Sequence, residues 1–221
     1  SPIGRSTSIP FASSYDGNGY SISGLTINRS SSNGVGMFGF LDNALISNIH
    51  LENDNVTGSM YVGSIAGYSG SSSINKCSTS GTVKGVQMIG GLVGLVLGAS
   101  SGSPSSINNS FSTANVNGTT QLVGGLVGYL YSYSSLSNSY STGSITGNVN
   151  YKGGLVGLNL NNSPVTDSFY DQTTSGQTDN TKGKPKTTAQ MKNIVTFTDN
   201  SSSDLTTSWN FTTIWNIDNS A

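Results

Sequence analysis

A short glycine cassette recurs five times in this chain, and the spacing of its copies limits the possible folds more than any other feature. The copies are Val35-Gly36-Met37-Phe38-Gly39, Val62-Gly63-Ser64-Ile65-Ala66-Gly67, Ile89-Gly90-Gly91-Leu92-Val93-Gly94, Val123-Gly124-Gly125-Leu126-Val127-Gly128 and Lys152-Gly153-Gly154-Leu155-Val156-Gly157. Their final glycines stand at 39, 67, 94, 128 and 157, so the steps are 28, 27, 34 and 29 residues. The long step contains the extra segment 98–105, which reads as a loop inserted in an otherwise regular coil. A second block keeps the same beat: Ile74-Asn75-Lys76-Cys77-Ser78, Ile107-Asn108-Asn109-Ser110-Phe111, Leu136-Ser137-Asn138-Ser139-Tyr140 and Val165-Thr166-Asp167-Ser168-Phe169, with Ile46-Ser47-Asn48-Ile49 as a looser first copy. Nine residues after the lead residue of the three middle copies come Val83, Val116 and Ile145, and two further on Gly85, Gly118 and Gly147.

A unit of about 28 residues, made of short β-type runs with Gly or Asn at the corners, cannot bury an apolar face alone and must stack on its neighbours. Helical repeats fit poorly, because the 41 Ser, 24 Asn and 29 Gly are weak helix formers and no apolar period of 3.6 survives across a unit. The expected fold is all-β: a parallel β-solenoid of five to six coils, each strand pairing with its equivalent about 4.8 Å above and below. Residues 1–32 read as a strand-and-turn segment leading into the solenoid, 33–171 as the repeats, and 172–221 as a C-terminal cap or side-packing segment with a short helix. Within each cassette the glycine pair permits a tight turn or close approach, and the following Leu-Val or Ile-Ala is expected to point to opposite faces.

Composition excludes several function classes. With nine Lys+Arg and a net charge of −1, the chain has no electrostatic footprint for nucleic acid. No apolar run approaches the roughly 18 residues of a membrane span, so no membrane insertion is expected in this segment. Cys77, the single cysteine, excludes an internal disulfide and a Cys-based zinc site. Recurrent Val, Ile, Thr and ten Tyr argue against disorder despite only 33% hydrophobic residues.

The Gly-Gly-Leu-Val-Gly cassettes, interleaved with Asn138-Ser139-Tyr140-Ser141-Thr142-Gly143 and its relatives, resemble the GLUG repeats of bacterial surface adhesins, filamentous-haemagglutinin-like proteins and some IgA-protease-family proteins. The resemblance covers roughly residues 33–171. The opening, with Pro2-Ile3-Gly4, Pro10-Phe11 and the run from Tyr15 to Ile27, is similar to segments that precede such repeats. The tail, with Lys186 to Met191-Lys192, Trp209-Asn210-Phe211 and Ile214-Trp215-Asn216-Ile217, is similar to segments on their C-terminal side. The resemblance implies an extracellular or cell-surface location and a fragment of a longer polypeptide. Its protease branch carries a zinc-binding H-E-x-x-H helix, whereas this chain has one histidine, His50, followed by Leu51-Glu52. No such site exists in these residues.

Candidate sites are sparse. Asp16-Gly17-Asn18-Gly19 reads as a turn, and Asp167, which replaces Asn109 and Asn138, as a corner residue. Glu52 and Asp54 are expected to share a solvated strand face, and His50 to be structural in an irregular strand. Cys77 aligns with Ser110, Ser139 and Ser168 and reads as a small buried residue without a base to activate it. Lys182, Lys184, Lys186 and Lys192 read as a solvated connector, and Tyr129, Tyr131, Tyr133 and Tyr151 as loop tyrosines. Seven Asn-x-Ser/Thr sequons carry little weight in a composition this rich in Asn and Ser.

The column Phe111, Tyr140 and Phe169, with Ser78 as its odd member, is the main binding candidate. It lies five residues from Val83, Val116 and Ile145, so strict alternation turns it outward. A bulge at Gly81, Ala114 and Gly143 would reset the phase and send it inward, and the core placement is favoured here. The expected function is non-catalytic: adhesion to a host or environmental protein or glycan, or to copies of the chain itself, with no catalytic residues, metal or cofactor. The alternatives are a polysaccharide-processing β-helix enzyme, which the scattered carboxylates disfavour, and a subunit of a head-to-tail extracellular filament.

Overall fold

A computed structural model describes residues 1–147, 150–161, 163–201 and 203–215; Asn216 and Ile217 of the tail motif lie outside them. The chain is a stack of short parallel strands in three sheets. One sheet carries the strands that follow the cassettes: Phe38–Asp42, Ala66–Gly70, Val93–Leu97, Val127–Tyr131 and Val156–Leu160. Its register pairs Phe38 with Ala66, Ala66 with Val93, Val93 with Val127 and Val127 with Val156. Those offsets are the 28, 27, 34 and 29 residues of the cassette spacing. A second sheet stacks Ser14–Asp16, Leu45–Ser47, Ser73–Asn75, Ser105–Asn108, Ser134–Ser137 and Val165–Thr166. The third is the longest, and its central members are His50–Thr57, Ser78–Gly90 and Asn115–Gly124.

The segment 1–32 is itself a coil: Ile3 and Phe11 bridge to Phe38 and Leu41, Ser14–Asp16 pairs with Leu45–Ser47, and Ser21–Ser23 with His50–Thr57. The extra residues of 98–105 leave the body as a turn closed by a Ser100–Ser103 bridge, and the register resumes at Ser106 opposite Ser73.

Each coil encloses two cores. The larger gathers Phe38, Ile46, Ile74, Leu92, Val96, Ile107, Leu126, Leu136 and Leu155 with their neighbours. The smaller is a narrow lobe of Val35, Val56, Val62, Val83, Ile89, Ala114, Val116, Val123 and Ile145. This lobe explains the repeated Val-x-Gly, since a Cβ on Gly118 would overlap the Val123 side chain. The cassette glycines are likewise a matter of space: a Cβ on Gly125 would run into the Gly154 carbonyl. The residues after each glycine pair do not split between faces. Leu92 with Val93 and Leu126 with Val127 are all fully buried in the larger core, because the chain bends at Gly-Leu and turns both side chains inward.

Serines line part of the interior and tie coil to coil. The Oγ of Ser110, Ser139 and Ser168 accepts from the N–H of Cys77, Ser110 and Ser139 respectively, at 3.1–3.2 Å. Each hydroxyl donates to the carbonyl two residues back. Cys77 occupies this ladder as expected; burial pushes its thiol up to about 12. The adjoining corner is a column of left-handed residues, Asn48, Lys76, Asn109, Asn138 and Asp167, with φ from 46 to 53°.

Candidate functional site

The outer face of the long sheet carries the ladder Ser21, His50, Ser78, Phe111, Tyr140, Phe169 and Lys184, each paired with the next in register. The expected phase reset does not occur. Thr79 pairs with Ser112 and Thr82 with Asn115, an unbroken register across Gly81, so Ser110, Ser112, Ala114 and Val116 all face inward. Phe111 and Tyr140 therefore point out of the solenoid, which corrects the core placement. Their rings stack at 4.9 Å between centroids and 2° between planes.

The C-terminal segment covers this column. Lys184–Lys186 adds one more rung beside Phe169–Asp171, tolerating Pro185 because it is an edge strand. Three of the four lysines are not solvated: Lys186 pairs with Asp204 at 2.7 Å, Lys184 lies 3.9 Å from the same carboxylate, and Lys182 Nζ donates to the carbonyls of Lys152 and Gly157, while Lys192 is exposed. Beyond it, the short helices Thr188–Met191 and Val195–Thr198 bring Met191 and Phe197, and the segment after them Leu205 and Trp209, onto Phe169 as a third apolar cluster. The Asp167 carboxylate accepts from the Thr206 N–H and hydroxyl, and the Trp209 indole donates to the Asp167 carbonyl at 2.9 Å. Asp171 is saturated: it caps the helix Gln172–Ser175 through Thr173 and Thr174 and accepts from the Thr188 hydroxyl. The tail thus packs on the side of the stack and closes its last rung.

Phe169 is fully covered, while Phe111, Tyr140, Phe211 and Trp215 stay half-buried. Between them runs a groove in two halves, and Tyr140 and Trp215 line both. One half, about 360 Å³, lies among Tyr140, Met191, Trp209, Phe211 and Trp215 with Thr113, Thr142 and Thr174 at its rim. The other, about 320 Å³, is lined by Asn48, His50, Lys76, Asn109, Phe111, Tyr140 and Trp215. Trp215 stands 5.6 Å from Tyr140 and 4.5 Å from Trp209 between ring centroids. Burial raises the Tyr140 hydroxyl to about 12, and among the described residues no hydrogen bond satisfies it.

Other sequence candidates scatter. His50 belongs to the groove ladder, its Nδ1 2.7 Å from the Ser78 hydroxyl; the ladder position was the signal that could have placed it. Asp16 ends the strand Ser14–Asp16 and supports the turn after it, as its Asp-Gly-Asn-Gly setting implied, by accepting from the Asn18 N–H. Glu52 is exposed, but Asp54 is buried, because the extra residue at Asn53 (φ 54°) shifts the register and flips Asp54 inward. Neither Asp54 oxygen meets a donor at bonding geometry; the unpaired Ser64 hydroxyl and the Thr82 N–H face it, and burial pushes its carboxyl up to about 7. Tyr129 and Tyr131 are strand residues of Val127–Tyr131, not loop residues. Among the described residues no three His, Cys, Asp or Glu side chains converge as metal ligands.

Fold and repeat together define the class: a parallel β-solenoid carrying the GLUG motif, whose family model matches residues 119–146. Over 85 residues, 38% of this chain, the sequence is 45% identical to halomucin of Haloquadratum walsbyi, and that match spans 1% of halomucin. A solved structure of a candidate immunoglobulin A1 protease from Bacteroides ovatus superposes with a TM-score of 0.65 at 20% identity. The alignment covers 77% of this chain and 54% of that one, a likeness of fold.

Proposed function

We propose that this chain is a non-catalytic repeat segment of an extracellular or cell-surface protein that supports adhesion, and that it meets a protein or glycan through the aromatic groove. The repeat motif and the halomucin match support the surface location. The observation that carries the contact itself is the outward column: Phe111, Tyr140 and Trp215 form an aromatic wall that remains half-exposed after the tail has docked. Such faces stack on sugar rings or anchor protein partners, and individually weak contacts gain from multivalency.

Arrays of glycans and proteins probed with the full chain test this reading. Replacing Tyr140 and Trp215 by Ala should cost about 2 kcal/mol of binding and leave the coils folded, since both side chains lie outside the two interior cores. Unchanged binding would refute the groove. Incubation with the same glycans should yield no new reducing ends or unsaturated products; their appearance would favour an enzyme.

A further inference from the structure

The two halves of the groove differ in chemistry. The half beside Met191 contains Asp171, a carboxylate already held by three donors, and the exposed Lys192. The half beside Phe111 contains Lys76 and His50. Lys76 sits in the left-handed corner column, whose other members are Asn48, Asn109, Asn138 and Asp167. Positive φ favours Asn and Asp, so the corner gives no backbone reason for a lysine. Nor does an ion pair: among the described residues the pairs are Lys182–Asp179, Lys184–Asp204 and Lys186–Asp204. Asp16, whose carboxylate bonds Asn48 of the same corner column, is held there by Asn48 Nδ2 and the Asn18 N–H. An unpaired ammonium, a half-buried imidazole and a stacked aromatic pair thus share one concavity.

We propose that this half binds an acidic saccharide, its ring lying on Tyr140, Phe111 and Trp215 and its carboxylate or sulfate meeting Lys76 beside His50. The inference deepens the glycan arm of the reading above and rests on it. The aromatic wall supplies affinity for the ring, and the ammonium selects the charged unit through a charge-assisted hydrogen bond. Tyr140, whose hydroxyl has no hydrogen-bond partner among the described residues, lines the same space and offers a donor for a ring oxygen.

Calorimetric titration of the full chain with uncharged, uronic-acid and sulfated oligosaccharides of equal length tests this, at low salt and again at about 0.5 M salt. The acidic ligands should bind about tenfold tighter than the uncharged one at low salt, an advantage that shrinks at high salt. The two acidic arms identify the anion. Lys76→Asn places the column's own residue at that corner, so it should abolish the advantage without changing the melting temperature or binding of the uncharged ligand. Equal affinity in all arms, or an unaltered preference in Lys76→Asn, would overturn the acidic assignment and leave glycan binding standing. No binding in any arm would overturn both.

Discussion

The interior of the coils and the outer aromatic column are ladders of the same stack, yet they are buried by different means. Inside, Leu92, Leu126 and Leu155 meet residues of their own kind one rung away, and the repeat supplies its own cover. Outside, the column passes from His50 through Ser78 to Phe111, Tyr140 and Phe169, and only a non-repeating tail covers it. Burial by repetition leaves no free surface, whereas burial by a docked segment leaves a groove at the seam. That difference puts the binding candidate at the seam where the tail meets the outer face of the repeats.

Attacking the interior should have the largest effect. Gly125→Val drives a side chain into the Gly154 carbonyl, a backbone atom of the next coil that cannot swing away. A loss of about 4 kcal/mol in denaturant unfolding is expected, the upper end for an overpacked site. A mild loss would mean that the coils can part to admit a side chain. Trp209→Ala should remove about 3 kcal/mol, but from the tail alone. Hydrogen exchange should then show amides of 188–215 losing protection while those of Val96 and Leu130 keep theirs; uniform loss would erase the distinction between the two regions.

Asp54 sharpens the comparison from within, as a polar intruder in the repeating interior. Its native pKa of about 7 lies above its unfolded value of 3.8, so the native state holds the proton more tightly. The cost of ionising it is absent below about pH 4, grows through the window up to about 7, and is complete above it. Asp54→Asn should therefore stabilise the chain by roughly 2 kcal/mol at pH 8 and by almost nothing at pH 4. A gain independent of pH would show that the folded chain does not raise the carboxyl's pKa above its unfolded value.

Much of this was legible in the residues. The cassette spacing predicted the strand register to the residue, because in a stacked coil like residues must become neighbours. The serine column predicted the place of Cys77 for the same reason. Alternation also turned Phe111 and Tyr140 outward correctly; the error lay in letting Gly81 and Gly143 break it, when the flanking register runs through unshifted. The tail's docking had no period to betray it, since Trp209 and Trp215 reach the column through contacts specific to one place in the chain. The flip of Asp54 depended on a single extra residue at Asn53, which a repeat alignment with one loose copy does not resolve. The second core went unread although the Val-x-Gly spacing carried its trace.

In-register stacking is the claim on which everything else depends, and cross-linking tests it most directly. Asn117 and Thr146 are paired across neighbouring coils, with Asn117 Nδ2 donating to the Thr146 hydroxyl at 2.7 Å. With Cys77→Ser to remove the native thiol, Asn117→Cys and Thr146→Cys should form an intramolecular disulfide under mild oxidation, since paired strand positions fall within bonding reach. Asn115→Cys with Thr146→Cys, two positions off register, should not. Closure of the second pair in preference to the first would contradict the stacking.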